Sequence, residues 1–354
     1  MMKLLKRSLS YFPRIYNSLI LFRFDCFRSA YASFALKDIA TFLSDEERNN
    51  PKVFRRVQRD VLKCNLKYGS SAIEYFLYGF RNKKPSEKAS FLTDSFRENL
   101  LARVEGFGDV KQVLDNKYSF YKRNENFFLR SCMLIPVGGG NLEDFVTFST
   151  TRGKVFIKPN CDSCGRGANL AKVCDEGDAK KIFNDLVETN VEWIVEEVIE
   201  QDASMAQWNE TSVNTIRIPA ILTSKGFHIM TPSIRTGIKG AVVDNAGSGG
   251  ILANVDFKTG KIYTNGVDES GHTFENHPTS GVKFKDSIVP HWSELMLLVE
   301  KIHSTTMSSN KYIGWDFALS KRGWCLIEGN WGQMICQYAD KKGRKEEFVQ
   351  YLLS

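Results

Sequence analysis

No hydrophobic run in this sequence is long enough to cross a bilayer, which takes about 20 apolar residues. The opening Met-Met-Lys-Leu-Leu-Lys-Arg resembles the charged start of a signal peptide. However, Pro13, Arg14 and Asn17 break the apolar stretch that should come next, and Ser18–Phe22 is too short. Neither export nor membrane crossing is expected. Repeats and low-complexity linkers are absent. No G-x-G-x-x-G joins a strand to a helix and no G-x-x-x-x-G-K-[ST] occurs, which argues against a doubly wound dinucleotide fold and a P-loop. The eight cysteines are scattered rather than framed. Cys161-x-x-Cys164 has no second Cys pair or His pair at ligand spacing, which disfavours zinc and leaves reduced thiols in a cytoplasmic protein as the expectation.

What is present is an ordinary globular composition over 354 residues, 42% hydrophobic and 25% charged, enough for two or three packed subdomains. The charge is placed unevenly. Residues 1–67 hold 14 Lys/Arg against 6 Asp/Glu, a net +8, while the whole chain is +7. Basic residues here alternate with Tyr11, Phe12, Tyr16, Phe22, Phe24 and Phe27. Such a face suits either a helical layer with a solvated basic side or weak association with an anionic membrane surface. No nucleic-acid partner is expected.

Residues 1–104 carry helical spacing. Asp45-Glu46-Glu47 suggests a helix start before Pro51–Leu66, with Val53, Val57, Val61 and Leu62 on one face. Gly79, Pro85 and Gly106–Gly108 punctuate the later segments. Beyond about residue 105, strands are expected at Phe145–Thr147, Lys154–Ile157, Trp193–Ile199, Thr215–Leu222, Phe227–Thr231, Gly314–Leu319 and Trp324–Glu328. Helices are expected at Asp178–Thr189 and Trp292–His303. The fold class read from this mixture is α+β, with a helical region 1–104 before a domain spanning 105–354.

Three constellations carry chemistry. In Val155-Phe-Ile-Lys-Pro-Asn-Cys-Asp-Ser-Cys-Gly-Arg-Gly167 an apolar strand ends on Lys158, and Gly165 and Gly167 loosen the loop behind it. A lysine beside such a loop suits a phosphate, although a plain hairpin would look the same. Trp193-Ile-Val-Glu-Glu-Val-Ile199 ends an apolar strand on two carboxylates. Glu196 there suits a purine amino group, with Glu197 to Ile199 as hinge backbone, but any edge strand can end this way. The third is Gly314-Trp-Asp316, with Ile327-Glu-Gly-Asn330 after it. Residues 328 and 330 share one strand face, so Asp316, Glu328 and Asn330 offer the hard oxygen ligands magnesium takes. Arg217 and Arg235, two strand-borne arginines in apolar contexts, can balance charge in phosphoryl transfer or form structural salt bridges.

The stretches Ser212-Val-Asn-Thr-Ile-Arg217, Val243-Asp-Asn-Ala-Gly-Ser-Gly-Gly-Ile251, His277-Pro-Thr-Ser-Gly281, Ile313-Gly-Trp-Asp316 and Ile327-Glu-Gly-Asn330, in this order, resemble the ATP-grasp superfamily and within it the sugar-transfer-associated ATP-grasp family. The resemblance covers roughly residues 65–340. It implies ATP held between two α+β subdomains, 105–199 and 200–354, with ATP and Mg2+ as cofactors. Lys117, in Asp115-Asn-Lys-Tyr-Ser-Phe120, and Lys158 would touch the α- and β-phosphates. Glu196 and Val198 would form the adenine hinge beside Glu197, and the 161–167 loop with Gly165 and Gly167 would cover the triphosphate. Asp316, Glu328 and Asn330 would hold magnesium. Asp202 stands where family members often show His, so it is the candidate ribose contact. Gly314 replaces the arginine that some superfamily ligases carry just before the metal acid, and the oxyanion contact would pass to Arg217 or Arg235. The implied reaction joins a small-molecule or sugar-linked carboxylate to an amine through an acyl phosphate, in building or modifying a surface polysaccharide. A kinase acting on a hydroxyl and a nucleotide-binding protein without turnover are the alternatives.

Overall fold

The computed structural model describes residues 13–26, 34–105, 113–161, 167–241, 244, 249–331 and 334–354. Tyr11, Phe12, Phe27, Gly106–Gly108, Cys164, Gly165, most of the 161–167 loop and Val243 lie outside them. Contacts divide the chain into one unit of Met1–Leu100 with Lys341–Phe348 and a second of Leu101–Asp340 with Val349–Ser354.

The first unit is helical: α1 (Pro13–Cys26), α2 (Leu36–Phe42), α3 (Asp45–Asn49), α4 (Pro51–Tyr68), α5 (Ala72–Leu77), α6 (Pro85–Ala89) and α7 (Asp94–Glu105). The acids at 45–47 start a helix of their own. Ser44 caps α3, accepting from the Glu47 amide at 3.2 Å, and Asn50 breaks the run with extended backbone before capping α4 in turn. Pro51 fits the first turn of α4, where its missing N–H has no partner to lose. Val57, Val61 and Leu62 of α4 are buried, with Leu62 packed against Ile20 and Phe24 of α1. The opposite face carries charge. A second cluster gathers Tyr75, Tyr78, Phe80 and Phe91, and the buried Glu74 accepts the Tyr78 hydroxyl at 3.1 Å and the Asp94 amide at 2.7 Å.

The second unit begins with the end of α7 and holds two antiparallel sheets. After α8 (Lys117–Phe128), the smaller sheet is built from β1 (Cys132–Ile135), β2 (Lys154–Pro159), β3 (Asn169–Lys172) and β4 (Trp193–Glu197) in the order β1-β4-β2-β3. Helices α9 (Leu142–Arg152) and α10 (Glu176–Glu188) bury Phe145, Ala179 and Phe183 against Ile135, Val155, Ile157 and Val195. The strand expected at Phe145–Thr147 is therefore helix. Asn141 caps it, accepting from the Glu143 amide at 3.0 Å. Phe145 and Ser149, one turn apart, face the core. Ser149, Thr150 and Thr151 return their hydroxyls to carbonyls four residues back, so the β-branched run pairs within the helix. Burial of one helical face outweighs β propensity.

The larger sheet comes after a short helix, α11 (Ala203–Ala206). It comprises β5 (Thr215–Thr223), β6 (Gly226–Ile229), β7 (Ser233–Thr236), β8 (Ile251–Asn254), β9 (Gly266–Val267), β10 (Thr273–Phe274), β11 (Tyr312–Ser320) and β12 (Gly323–Asn330). Its path is β10-β9-β8-β7-β5-β11-β12, with β6 paired to β5. Helix α12 (Trp292–Thr306) packs Leu295, Val299 and Ile302 into the same core as Ile216, Ile218, Trp315, Phe317 and Leu326, and α8 adds Phe120 and Phe128. The chain closes with α13 (Cys336–Asp340) and α14 (Lys345–Leu352). Among the described residues no helix is long and apolar enough to cross a membrane.

Candidate active site

The register of the larger sheet sets charged residues side by side. On adjacent strands Arg217 pairs with Asp316, and Asp316 with Glu328, while Gly314 pairs with Asn330 and Thr215 with Arg235. Because residues two apart share a strand face, these side chains rise from one side of the sheet. Arg217 grips Asp316 with two nitrogens, the second at 2.7 Å, and Arg235 reaches Asp316 at 3.1 Å and Asp244 at 3.2 Å. Asp244 also accepts the Thr215 hydroxyl. A side chain at Gly314 would meet the Asn330 Oδ1 at 3.2 Å and its carbonyl at 3.3 Å, so a larger residue here would press on Asn330.

Two cations therefore face three carboxyl groups, of which Asp316 and Asp244 are buried and Glu328 is half-buried. Burial resists ionisation of Asp316, but Arg217 and Arg235 outweigh it and hold the group below its usual range. Glu328 goes the other way. Burial and then the neighbouring Asp316 raise it, and in its protonated form it donates a hydrogen bond to Asp316. Asp244 is raised by burial, partly countered by Arg235.

A second cluster sits on the smaller sheet. Strands β2 and β4 bring Lys158 to 2.8 Å from Glu196, and Arg130 lies 2.9 Å from the same carboxylate. Arg130 also donates to the Leu326 carbonyl at 2.7 Å, which ties it to β12. Burial would raise Glu196, but Arg130 and then Lys158 win and hold it at about 2. This carboxylate is thus committed to two cations. Glu197 points elsewhere, to Arg322 at 2.8 Å and the Ser131 amide at 3.2 Å.

A cavity of about 560 Å³ opens onto both clusters. Of the residues singled out in the sequence, Lys117, Lys158, Glu196, Glu197, Val198, Arg235, Asp316 and Glu328 line it. Lys117 stands at the start of α8, which Asn160 fixes by accepting the Lys117 and Tyr118 amides at 3.1 and 2.8 Å. Arg217 lies behind this wall, bound to Asp316. Asp202 caps α11, accepting from the Ser204 amide at 2.9 Å, and does not line the cavity. Gly167 has φ +73°, and a side chain there would press on Pro159 at 3.1 Å, so the loop after β2 turns back only through glycine. Gly165 is outside the described residues.

Arg130 and Asp244 were not singled out as site residues in the sequence. Arg130 sits in a bend between α8 and β1 with no local pattern, and only its long-range partners mark it. Asp244 lies within the Val243–Ile251 motif, and its acid among glycines was the available signal.

The donor chemistry fits a magnesium ion. Asp316 is a buried carboxylate and Glu328 a half-buried carboxyl that resists ionising beside it, a repulsion a dication would relieve, and Asn330 adds a neutral oxygen. No group of three His, Cys, Asp or Glu side chains gathers as a metal site among the described residues, so the set rests on two carboxylates and an amide.

The profile of the sugar-transfer-associated ATP-grasp family matches residues 111–350. No curated protein sequence matches the chain. Among solved structures, D-alanyl-alanine synthetase A from Vibrio cholerae is 11% identical with a TM-score of 0.43, covering 68% of this chain and 65% of that one. D-alanine–D-alanine ligase from Bacillus anthracis is 11% identical with a TM-score of 0.40, covering 73% and 71%. The enzyme of the same name from Helicobacter pylori is 14% identical with a TM-score of 0.40, covering 68% and 60%. With the family profile spanning most of its length, the chain belongs to the sugar-transfer-associated ATP-grasp family.

Proposed function

We propose that this protein is an ATP- and magnesium-dependent carboxylate–amine ligase that works through an acyl phosphate. The carrying observation is the charge on the two sides of one cavity. Two cations face one carboxylate around Glu196, and two cations face three carboxyl groups around Asp316. The first side suits phosphate oxygens and the second suits a dication.

In this reading Lys117 and Lys158 bind the phosphates, and Glu196 holds the Lys158 ammonium in place. Val198 and Ile199, just past the end of β4, offer backbone and apolar surface to the base, with Glu197 and Gly167 beside them and Asp202 toward the ribose. Asp316, Glu328 and Asn330 would hold magnesium, which supplies charge neutralisation for phosphoryl transfer when bound. The substrate carboxylate takes the γ-phosphoryl group of ATP and ADP leaves. An amine then attacks the acyl carbon and phosphate departs. Arg235 is assigned the oxyanion contact because it lines the cavity, whereas Arg217 is committed to Asp316. The family's description supports a sugar-linked carboxylate and a role in surface polysaccharide building, and ATP use fits a cytoplasmic site. The basic N-terminal region fits a peripheral contact with an anionic membrane surface.

Hydroxylamine trapping tests this function. With ATP, magnesium and a panel of carboxylates including uronic acids, but no natural amine, we expect a hydroxamate, ADP and phosphate in equal amounts. A stable phosphate ester with no hydroxamate and no phosphate would make the protein a kinase instead.

A further inference from the structure

Helix α4 carries six Lys/Arg and a single acid, Asp60. Lys52, Arg56, Arg59, Lys63 and Lys67, spaced by four, three, four and four residues, are all exposed. At 3.6 residues per turn they fall within about 80° of one another and run roughly 22 Å along the helix. Their partners are few and weak. Arg59 meets Asp25 at 2.7 Å across an exposed surface, a kind of pair worth little in water. Asp60 sits in the wall of the cleft described below, where the Tyr75 hydroxyl donates to it at 2.6 Å and the Lys88 ammonium lies 3.9 Å away.

Midway along the stripe the surface is indented. A cleft of about 370 Å³ is lined by Arg56, Val57, Arg59, Asp60 and Lys63 from α4 and by Tyr75 and Arg81 from the next segment, four cations against one carboxylate. Arg81 is paired with Glu47 at 2.5 Å, again in an exposed setting. A phosphate entering the cleft would meet guanidinium forks, an ammonium and a phenol ring. Apolar groups flank the stripe. Phe22 is 59% and Leu19 44% exposed on α1. Phe22 lies one turn before Asp25, the residue that touches Arg59, so its ring stands at the rim of the basic face. An inorganic polyanion has no use for an exposed phenyl ring, and the bases of a single-stranded nucleic acid could stack on Phe22 but not on the aliphatic Leu19, whereas a lipid interface takes both apolar side chains with the basic stripe.

We propose that the α4 face is a docking surface for anionic phospholipid, with Lys52, Arg56, Arg59, Lys63 and Lys67 over the headgroups, one lipid phosphate in the Arg56–Lys63–Arg81 cleft, and Phe22 in the interface. This deepens the peripheral contact included in the proposed function by naming its residues and its partner. It places the ligase at a membrane surface.

The test is co-sedimentation of the full chain with phosphatidylcholine vesicles, with and without phosphatidylglycerol. Binding should require phosphatidylglycerol and fall steeply as salt rises. The Arg56→Ala/Lys63→Ala double variant should bind roughly thirtyfold more weakly, at about 1 kcal/mol per basic residue near the surface. Phe22→Ala should weaken binding with little change in its salt dependence. A remote control, Lys258→Ala/Lys283→Ala, should bind as wild type. Equal loss in the remote pair would overturn the proposal, as would vesicle binding unchanged in the double variant. Binding of inorganic pyrophosphate or a short RNA with none to vesicles would also overturn it. Hydroxamate formation without vesicles reports on the ligase alone, so failure of one reading leaves the other standing.

Discussion

The two charged clusters around the cavity use the same residue types to opposite ends. Around Glu196 one carboxylate is shared by Arg130 and Lys158, so its ionised state is over-supported and the group is held at about 2. Around Asp316 the carboxyl groups outnumber the cations, and Glu328 is pushed up by burial and then by Asp316, which already takes both arginines. A satisfied cluster stabilises the fold. An over-acidic one stores a repulsion that a dication can relieve. Burial alone thus does not mark the metal side of a site. The local balance of charge does.

The same substitution should therefore have different consequences on the two sides. Glu328→Gln replaces a carboxyl that resists ionisation with a neutral amide of the same shape. We expect ATP turnover to fall by about a thousandfold, some 4 kcal/mol of barrier, with the melting temperature unchanged or higher. Turnover assays and calorimetry on one preparation check both parts. Equal loss of stability would erase the contrast.

Glu196→Gln should do the reverse, leaving Arg130 and Lys158 buried without their counter-charge. A loss of about 3 kcal/mol in denaturant unfolding is expected. The pH dependence comes from the same pair. The folded carboxyl sits at about 2 against an ordinary value of 4.5, so the unfolded chain binds more protons between those limits. Its stabilisation is present above about pH 4.5, is on the order of 3 kcal/mol there, and disappears as the pH falls toward 2. Wild type should show this acid-labile component, and Glu196→Gln should lack it.

Arg235→Lys gives the smallest effect. It keeps the charge but breaks the fork between Asp244 and Asp316, so kcat should drop about tenfold while ATP affinity holds. A matching loss of ATP affinity would move Arg235 from the reacting group to the nucleotide.

Much of this arrangement could be read in the sequence because strand period and pairing are local rules. Glu328 and Asn330 share a strand face by counting alone, and Lys158 and Glu196 end neighbouring apolar runs, whereas Asp316 joins them only through the pairing of β11 with β12. Arg130 could not be found that way. Its backbone leaves α8 through Leu129 at φ +49°, and its carbonyl partner Leu326 is 196 residues away. The strand expected at Phe145–Thr147 failed for a related reason. Its β-branched residues satisfy one another inside a helix whose buried face is set by the sheet beneath. The short strands β8, β9 and β10 carry too few residues to show a period at all.

The whole assignment rests on a single cavity that holds a nucleotide on its basic side and a dication on its acidic side. Titration calorimetry of ATP, with and without magnesium, on wild type and Glu328→Gln measures this without any need for the carboxylate or the amine. Wild type should bind a single ATP per chain, at least tenfold more tightly with magnesium. Glu328→Gln should still bind ATP through Lys117 and Lys158 but lose most of the magnesium dependence. Wild-type binding that is indifferent to magnesium, or no ATP binding at all, would refute the assignment.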